Sequence, residues 1–278
     1  MGGGALLPVG GKAAEQETGI AVVEGTNPAS QVREAIRLLG GIERFIRRGD
    51  RVVLLPNPQG IGRGVTTNPD IVAETVRLCL SAGASSVSVA SCHGKDRWLG
   101  TGIIESVEAS GGRMKYPDSK RDWVTIRVPK PRARKEVTVI RDALEADRLI
   151  NMPIFKQHSY TRVTGCIKNL MGTNDDNWGF HKGDTYLHQA IVDLASIFSP
   201  ALCLVDATTI LTERGPFGPG RVIHPNRVYA GKDMVALDAL CCDLLNVKPH
   251  QVLYIQLAHE SGLGRMNPKT DTVKRLRI

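Results

Sequence analysis

The sequence predicts an α/β fold: a mainly parallel sheet with helices on both faces, plus a small antiparallel basic insert. Three observations point there. Between Gly19 and Ala90, short β-branched runs alternate with longer amphipathic ones. The spacing of strand, helix and strand from Arg51 to Ala90 suits a parallel pair joined by a right-handed crossover. Finally, 278 residues at 42% hydrophobic and 23% charged can fill one large core. No apolar run approaches the roughly 20 residues that a bilayer-spanning helix needs.

Taken in order, Ile20 to Val23 reads as the first strand, Gln31 to Leu39 and Ile42 to Arg48 as helical turns, and Arg51 to Leu55 as a buried strand. Asn68-Pro69 starts a helix, because Asn accepts from a free backbone N–H and Pro lacks one that would go unused. Ile71, Val72, Thr75, Val76, Leu78 and Cys79 give that helix an apolar face until Gly83 stops it, and Val87 to Ala90 is the next strand. Residues 111–141 are basic and proline-interrupted, with strand character at Val124 to Val128 and Val137 to Ile140, which predicts the antiparallel insert. The rhythm resumes with a strand over Ala146 to Asn151. A helix follows over Asp184 to Phe198, with Asp184 as cap and Leu187, Ile191, Leu194 and Ile197 inward. Strands at Ala201 to Val205 and Val228 to Ala230 precede helices at Asp233 to Leu245 and Pro249 to Ser261. Residues 13–278 form one α/β domain on this reading, and two lobes (13–110 and 142–278) about the insert are the alternative.

The formal charge is 36 − 28 = +8, which favours anionic partners. Its basic stretch, Lys120 to Lys135, carries one aromatic, Trp123, and lacks the interleaved stacking residues of a single-strand binder, so nucleic acid ranks third among partners. No two of the six cysteines are spaced C-x-x-C, which argues against a zinc ribbon or ferredoxin loop. Reduced thiols and the lack of a leader pattern in Met1 to Lys12 predict a cytoplasmic protein, and a removed export signal stays open. A small anionic metabolite is the expected partner, no membrane is, and self-association is left open.

In open α/β sheets ligands gather at the carboxyl ends of parallel strands. Pro56 to Asn68 there offers three glycines, Arg63, Thr66 and Thr67 ahead of a helix, an arrangement suited to an anion or to a flexible turn. Ser91-Cys92-His93 places an imidazole and a thiol at the next strand end. The densest polar segment runs from Asn151 through Lys156, His158, Thr164, Lys168 and Asn169, and its polar groups must be satisfied or used. His181, His188 and Asp206, with a nearby thiol, are candidate ligands for a transition metal. Asp238 reads as a buried polar partner and Asp233 as a cap.

Several motifs together resemble the domain of unknown function 362 family: Leu55-Pro56-Asn57 with Gly64 to Pro69, Lys156-Gln157-His158 with Thr164 and Lys168 to Gly172, His188, Val205-Asp206 with Gly215-Pro216, and Ala230 to Asp238. Many members carry a ferredoxin-type iron–sulfur module, for which these 278 residues have no cysteine spacing. His93, His158 and Lys168 also stand in an order and spacing similar to those in nickel-pincer lactate racemases. That resemblance implies a proton-transfer pair, His93 and His158, a covalent cofactor anchor, Lys168, and a metal ligand, His181 or His188. Asn57, Arg63, Thr66, Lys156, Thr164 and Asn169 are the expected cofactor-binding set, with a transition metal or metal–nucleotide cofactor. The leading expectation is an enzyme of isomerase or oxidoreductase type acting next to a carboxylate. The runner-up is a non-catalytic binder of a metal, an iron–sulfur cluster or a phosphate ligand.

Overall fold

The computed structural model describes residues 19–278, so the leader reading of Met1 to Lys12 and the domain start at residue 13 lie outside the described residues. The first strands and helices are β1 (Ile20–Glu24), α1 (Pro28–Leu38), β2 (Arg51–Pro56), α2 (Pro69–Ser81), β3 (Ser86–Ala90), α3 (Ile103–Ala109) and β4 (Arg113–Lys115). Asn27 and Asn68 cap α1 and α2, accepting from Ser30 N and Asp70 N, both at 2.9 Å. The turns expected over Ile42 to Arg48 shrink to one 3-10 turn, Ile42–Arg44, entered through Gly40 and Gly41, whose φ values of +96° and +95° end α1.

The insert is a hairpin of β5 (Trp123–Arg127) and β6 (Glu136–Ile140), antiparallel as expected, followed by α4 (Arg141–Glu145). Its basic loop is held from below. The Asp193 carboxylate accepts from Arg132 N (3.1 Å), Ala133 N (2.7 Å) and Arg134 N (2.8 Å), and from Gln189 Nε2 (3.0 Å). Asp193→Ala strands three N–H groups and is expected to cost about 2–3 kcal/mol, with Asp193→Asn recovering part of it in thermal unfolding. A loss below about 0.5 kcal/mol, the scale of an ordinary surface change, would show the loop to be held by other contacts.

Beyond the insert lie β7 (Arg148–Met152), the hairpin β8 (Lys156–His158) and β9 (Arg162–Thr164), α5 (Cys166–Asn169), α6 (Asp184–Ala195) and β10 (Leu202–Ala207). Then come β11 (Ile210–Leu211), β12 (Val222–Ile223), β13 (Arg227–Gly231), α7 (Met234–Cys241), α8 (Leu253–Glu260) and β14 (Val273–Arg277). One eight-stranded sheet runs β14-β1-β13-β10-β7-β2-β3-β4, so strands from both sides of the insert share it. Seven strands point the same way and β13 alone opposes them. No helix lies between β10 and β13, and a parallel neighbour would need a crossover.

Strand alternation sorts the core into two layers. Val52 and Leu54 face α1, α2 and α3, whereas Val53 and Leu55 face α5 to α8 and the insert hairpin. Two local readings change. Asp184 opens α6 as its first residue, and the cap is Gly183 at φ +127°, a conformation that L side chains rarely adopt. The helix expected over Asp233 to Leu245 is α7 followed by a 3-10 turn, with Asp233 capping through Ala236 N at 2.9 Å, as expected. All six cysteines are free thiols.

Candidate active site at the carboxyl ends of the strands

The loops after β2, β3 and β7 meet over the carboxyl end of the parallel strands, Cys92 N donating to Gly172 O, and a buried chain of amides joins the β2 loop to β7 and the segment that follows it. Lys156 Nζ, fully buried, donates to Val65 O (2.6 Å) and Asn57 Oδ1 (3.3 Å). Asn57 Nδ2 donates to Asn169 Oδ1 (3.0 Å), and Asn169 Nδ2 donates to Leu55 O (2.9 Å) and Asn151 Oδ1 (2.8 Å). Asn151 Nδ2 ends the chain on Cys166 O at 2.8 Å. Burial, with the Lys168 charge behind it, lowers the Lys156 amine well below its ordinary range. Lys156, Asn57 and Asn169 are thus fastened to one another.

Asp238 holds the start of α5, accepting from Cys166 N and Ile167 N, as a buried polar partner should. A Cβ at Gly165 would overlap that carboxylate, which explains the glycine three residues before Lys168. Lys168 is 8% exposed, and among the described residues its Nζ has one hydrogen-bond contact, Met171 Sδ at 3.3 Å, a weak acceptor. Burial brings its pKa down to about 8. Its charge in turn acts on His158, Lys156 and His188.

Backbone donors set the imidazole tautomers. His158 Nδ1 accepts from Tyr160 N (3.1 Å) and His188 Nδ1 from Tyr254 N (3.0 Å), so each neutral ring carries its proton on Nε2 and is a donor there. Burial and then Lys168 push His158 down to about 2, which keeps it neutral. His181 is the reverse: its Nδ1–H donates to Asn177 O at 2.9 Å, leaving an Nε2 lone pair. His93 follows β3 with its carbonyl receiving Trp98 Nε1–H (3.4 Å) and, among the described residues, no hydrogen bond to its ring, and burial with Arg97 lowers it to about 4. Asn177 also points Nδ2 at Cys92 Sγ (3.6 Å), tying the β3 loop to the His181 loop. Burial pushes the Cys92 thiol up to about 12, so it is a poor nucleophile.

Two hollows open here. One of about 730 Å³ is lined by His158, Tyr160, Arg162, His181, Asp184 and Leu187, among others. The other, about 260 Å³, is lined by Arg63, Thr66, Asn68 and Asp206. This second hollow is largely self-satisfied. Thr66 Oγ1 accepts from Gly60 N (3.0 Å), Arg63 meets His224 Nε2 (3.2 Å), and Asp206 accepts from Asn68 N (2.8 Å), Thr208 N (2.9 Å) and Thr208 Oγ1 (2.7 Å). Arg63, Thr66 and Asp206 therefore sit apart from the His158 cavity.

Among the described residues no three His, Cys, Asp or Glu side chains come together to hold an ion, and His181, His188 and Asp206 do not form a ligand set. With His158 and His188 protonated at Nε2, the donors present do not fit a metal centre built by the protein alone. Among the described residues, the buried polar atoms without hydrogen-bond partners include Thr164 Oγ1, Asn177 Oδ1 and both amide atoms of Asn174. Asn151, Tyr160 and Arg162 lie in the dense polar segment without an individual role expected for them, and Asn177 lies outside the expected site, since nothing local singles it out.

Comparisons with known proteins agree with this architecture. The chain is 27% identical over 256 residues to a thylakoid-associated protein of Synechocystis sp., a match covering 84% of this chain and 75% of that protein. The lactate racemase apoprotein from Thermoanaerobacterium thermosaccharolyticum superposes with a TM-score of 0.51 at 13% identity, covering 76% of this chain and 54% of that one. A Thermotoga maritima protein gives a TM-score of 0.53 at 13% identity, covering 79% and 60%. The chain thus spans between half and two thirds of the length of those two structures, and the likeness is one of fold. Among the described residues no helix is long and apolar enough to cross a membrane. The family model for the domain of unknown function (DUF362) matches residues 52–243, more than half of the chain, and the protein belongs to that family.

Proposed function

We propose that the protein is an enzyme that binds a small anionic metabolite and moves a proton at the carbon next to its carboxylate. The observation that carries this reading is Lys168: a buried ammonium whose hydrogen-bond partner among the described residues is a thioether, beside a neutral imidazole fixed as a donor. A buried cation without a counter-ion is costly, and a ligand carboxylate would supply one. Lys168 and His158 Nε2–H hold the anion. His181 and His93, which keep a lone pair, accept the proton. His158 is then an electrophile and not the base, because Tyr160 N–H occupies its other nitrogen.

In this reading affinity for lactate or pyruvate, measured by calorimetry, is highest below about pH 8 and falls about ten-fold per pH unit above it as Lys168 loses its charge. A flat profile from pH 6 to 10 would overturn it. A binder that holds the anion without chemistry would show the same profile. Exchange of the α-hydrogen of a 2-hydroxy acid for deuterium in D2O separates the two, since only the enzyme catalyses it.

A further inference from the structure

Resting on that reading, we propose that the acid bound here carries a planar aromatic or heteroaromatic ring, seated on Tyr160, His181 and Trp178 with its anionic end toward His158 and Lys168. The first support is size. The cavity lined by His158, Tyr160, Arg162 and His181, with Trp178 and Lys168 outside its lining, lies at about 730 Å³ in the range of roughly 300–1,000 Å³ that holds drug-sized ligands and exceeds what a three-carbon acid fills.

The second support is an aromatic ladder. Trp178 and His181 have ring centroids 5.8 Å apart at 51°, His181 and Tyr160 5.3 Å at 72°, and Tyr160 and His158 6.1 Å at 50°. These spacings fall within the 4.5–7 Å of favourable aromatic pairs. Yet its outer rings face water, Trp178 being 86% and Tyr160 63% exposed.

These rings are exposed on held backbone. The turn bearing Trp178 is fixed by Gly179 N on Asp176 Oδ1 (2.8 Å), by His181 N on Trp178 O (3.0 Å), and by buried Phe180 beneath the Arg134 guanidinium, 4.9 Å from its ring. Tyr160 sits at the tip of the β8–β9 hairpin, where Ser159 N donates to Gly215 O (3.2 Å). Two residues on, Arg162 adopts a left-handed φ of +64°, rare for a side chain of its size, and lines the same cavity. Large rings presented on a rigid rim lose little freedom when a second ring stacks on them. The nearby guanidinium gives that ring's owner a reason to be an anion.

The test compares phenylpyruvate with pyruvate, and phenyllactate with lactate, by calorimetry on the whole chain at pH 7. Each aromatic acid is expected to bind at least about ten-fold more tightly than its three-carbon counterpart and to quench Trp178 emission. Trp178→Ala and Tyr160→Ala should each lower that ratio several-fold, and together bring it near one. Lys168→Met should weaken both acids of a pair alike and leave the ratio standing. Equal affinities in the wild type, or a ratio unmoved in the double variant, would remove the ring inference and leave the anion reading intact. If neither acid binds, the anion reading fails and takes the ring inference with it.

Discussion

Lys168→Met is expected to weaken carboxylate binding at least about 100-fold while making the protein more stable at pH 7. Charged Lys168 is buried with Met171 Sδ as its hydrogen-bond partner among the described residues, and the drop of its pKa from 10.5 to about 8 corresponds to roughly 3 kcal/mol at full protonation. Methionine keeps the length of the side chain and removes the charge, so a gain of about 2 kcal/mol, or about 4–8 °C in Tm, is expected. The pH dependence has a definite sign. The folded pKa lies below the unfolded one, so the unfolded chain binds more protons between about pH 8 and 10.5, and wild-type stability rises across that window from this group. Lys156, lowered in the same direction, contributes with the same sign, so in Lys168→Met the rise shrinks without vanishing. A variant less stable than wild type at pH 7 would mean that the ammonium has a counter-charge after all. The opposition of the two effects is what a functional group held against its own solvation should show.

Asn169→Ala is expected to be the most damaging of the small substitutions, at about 3–5 kcal/mol. The side chain makes three hydrogen bonds, and its removal strands Asn57 Nδ2, Asn151 Oδ1 and Leu55 O where water is scarce. Urea unfolding should show a lower midpoint with an unchanged slope. Because Asn57 also receives Lys156, the loop carrying Lys168 loses its tie to the β2 loop, and anion binding should weaken in the still-folded variant. A cost under about 1 kcal/mol, the worth of one ordinary hydrogen bond, would show that the chain of amides is not a unit.

Much of the scaffold was legible because its signals are local. Asn68 and Asp233 announce helix starts by side-chain chemistry alone, and the β-branched runs at β1, β2 and β3 can be buried only in strands. The β8–β9 hairpin was not legible: Lys156-Gln157-His158 has no apolar alternation, and it becomes a strand through pairing with Arg162–Thr164. Nor was β14, whose Lys274, Arg275 and Arg277 read as a charged tail and in fact guard the edge of a sheet. At the site, polar density marked out Asn151 to Asn169. The tautomers of His158 and His188 could not be read, since they depend on where the Tyr160 and Tyr254 amides fall in space.

The position of β1 between β13 and β14 carries a consequence for biosynthesis. Its two partners are residues 227–231 and 273–277, so β1 stays unpaired until those much later segments have been made. Closing such distant segments is slow, and exposed strand edges invite association in the meantime. The β2-β3 unit, whose partners lie close in the chain, can assemble early, whereas the opposite flank of the sheet must wait for segments far downstream.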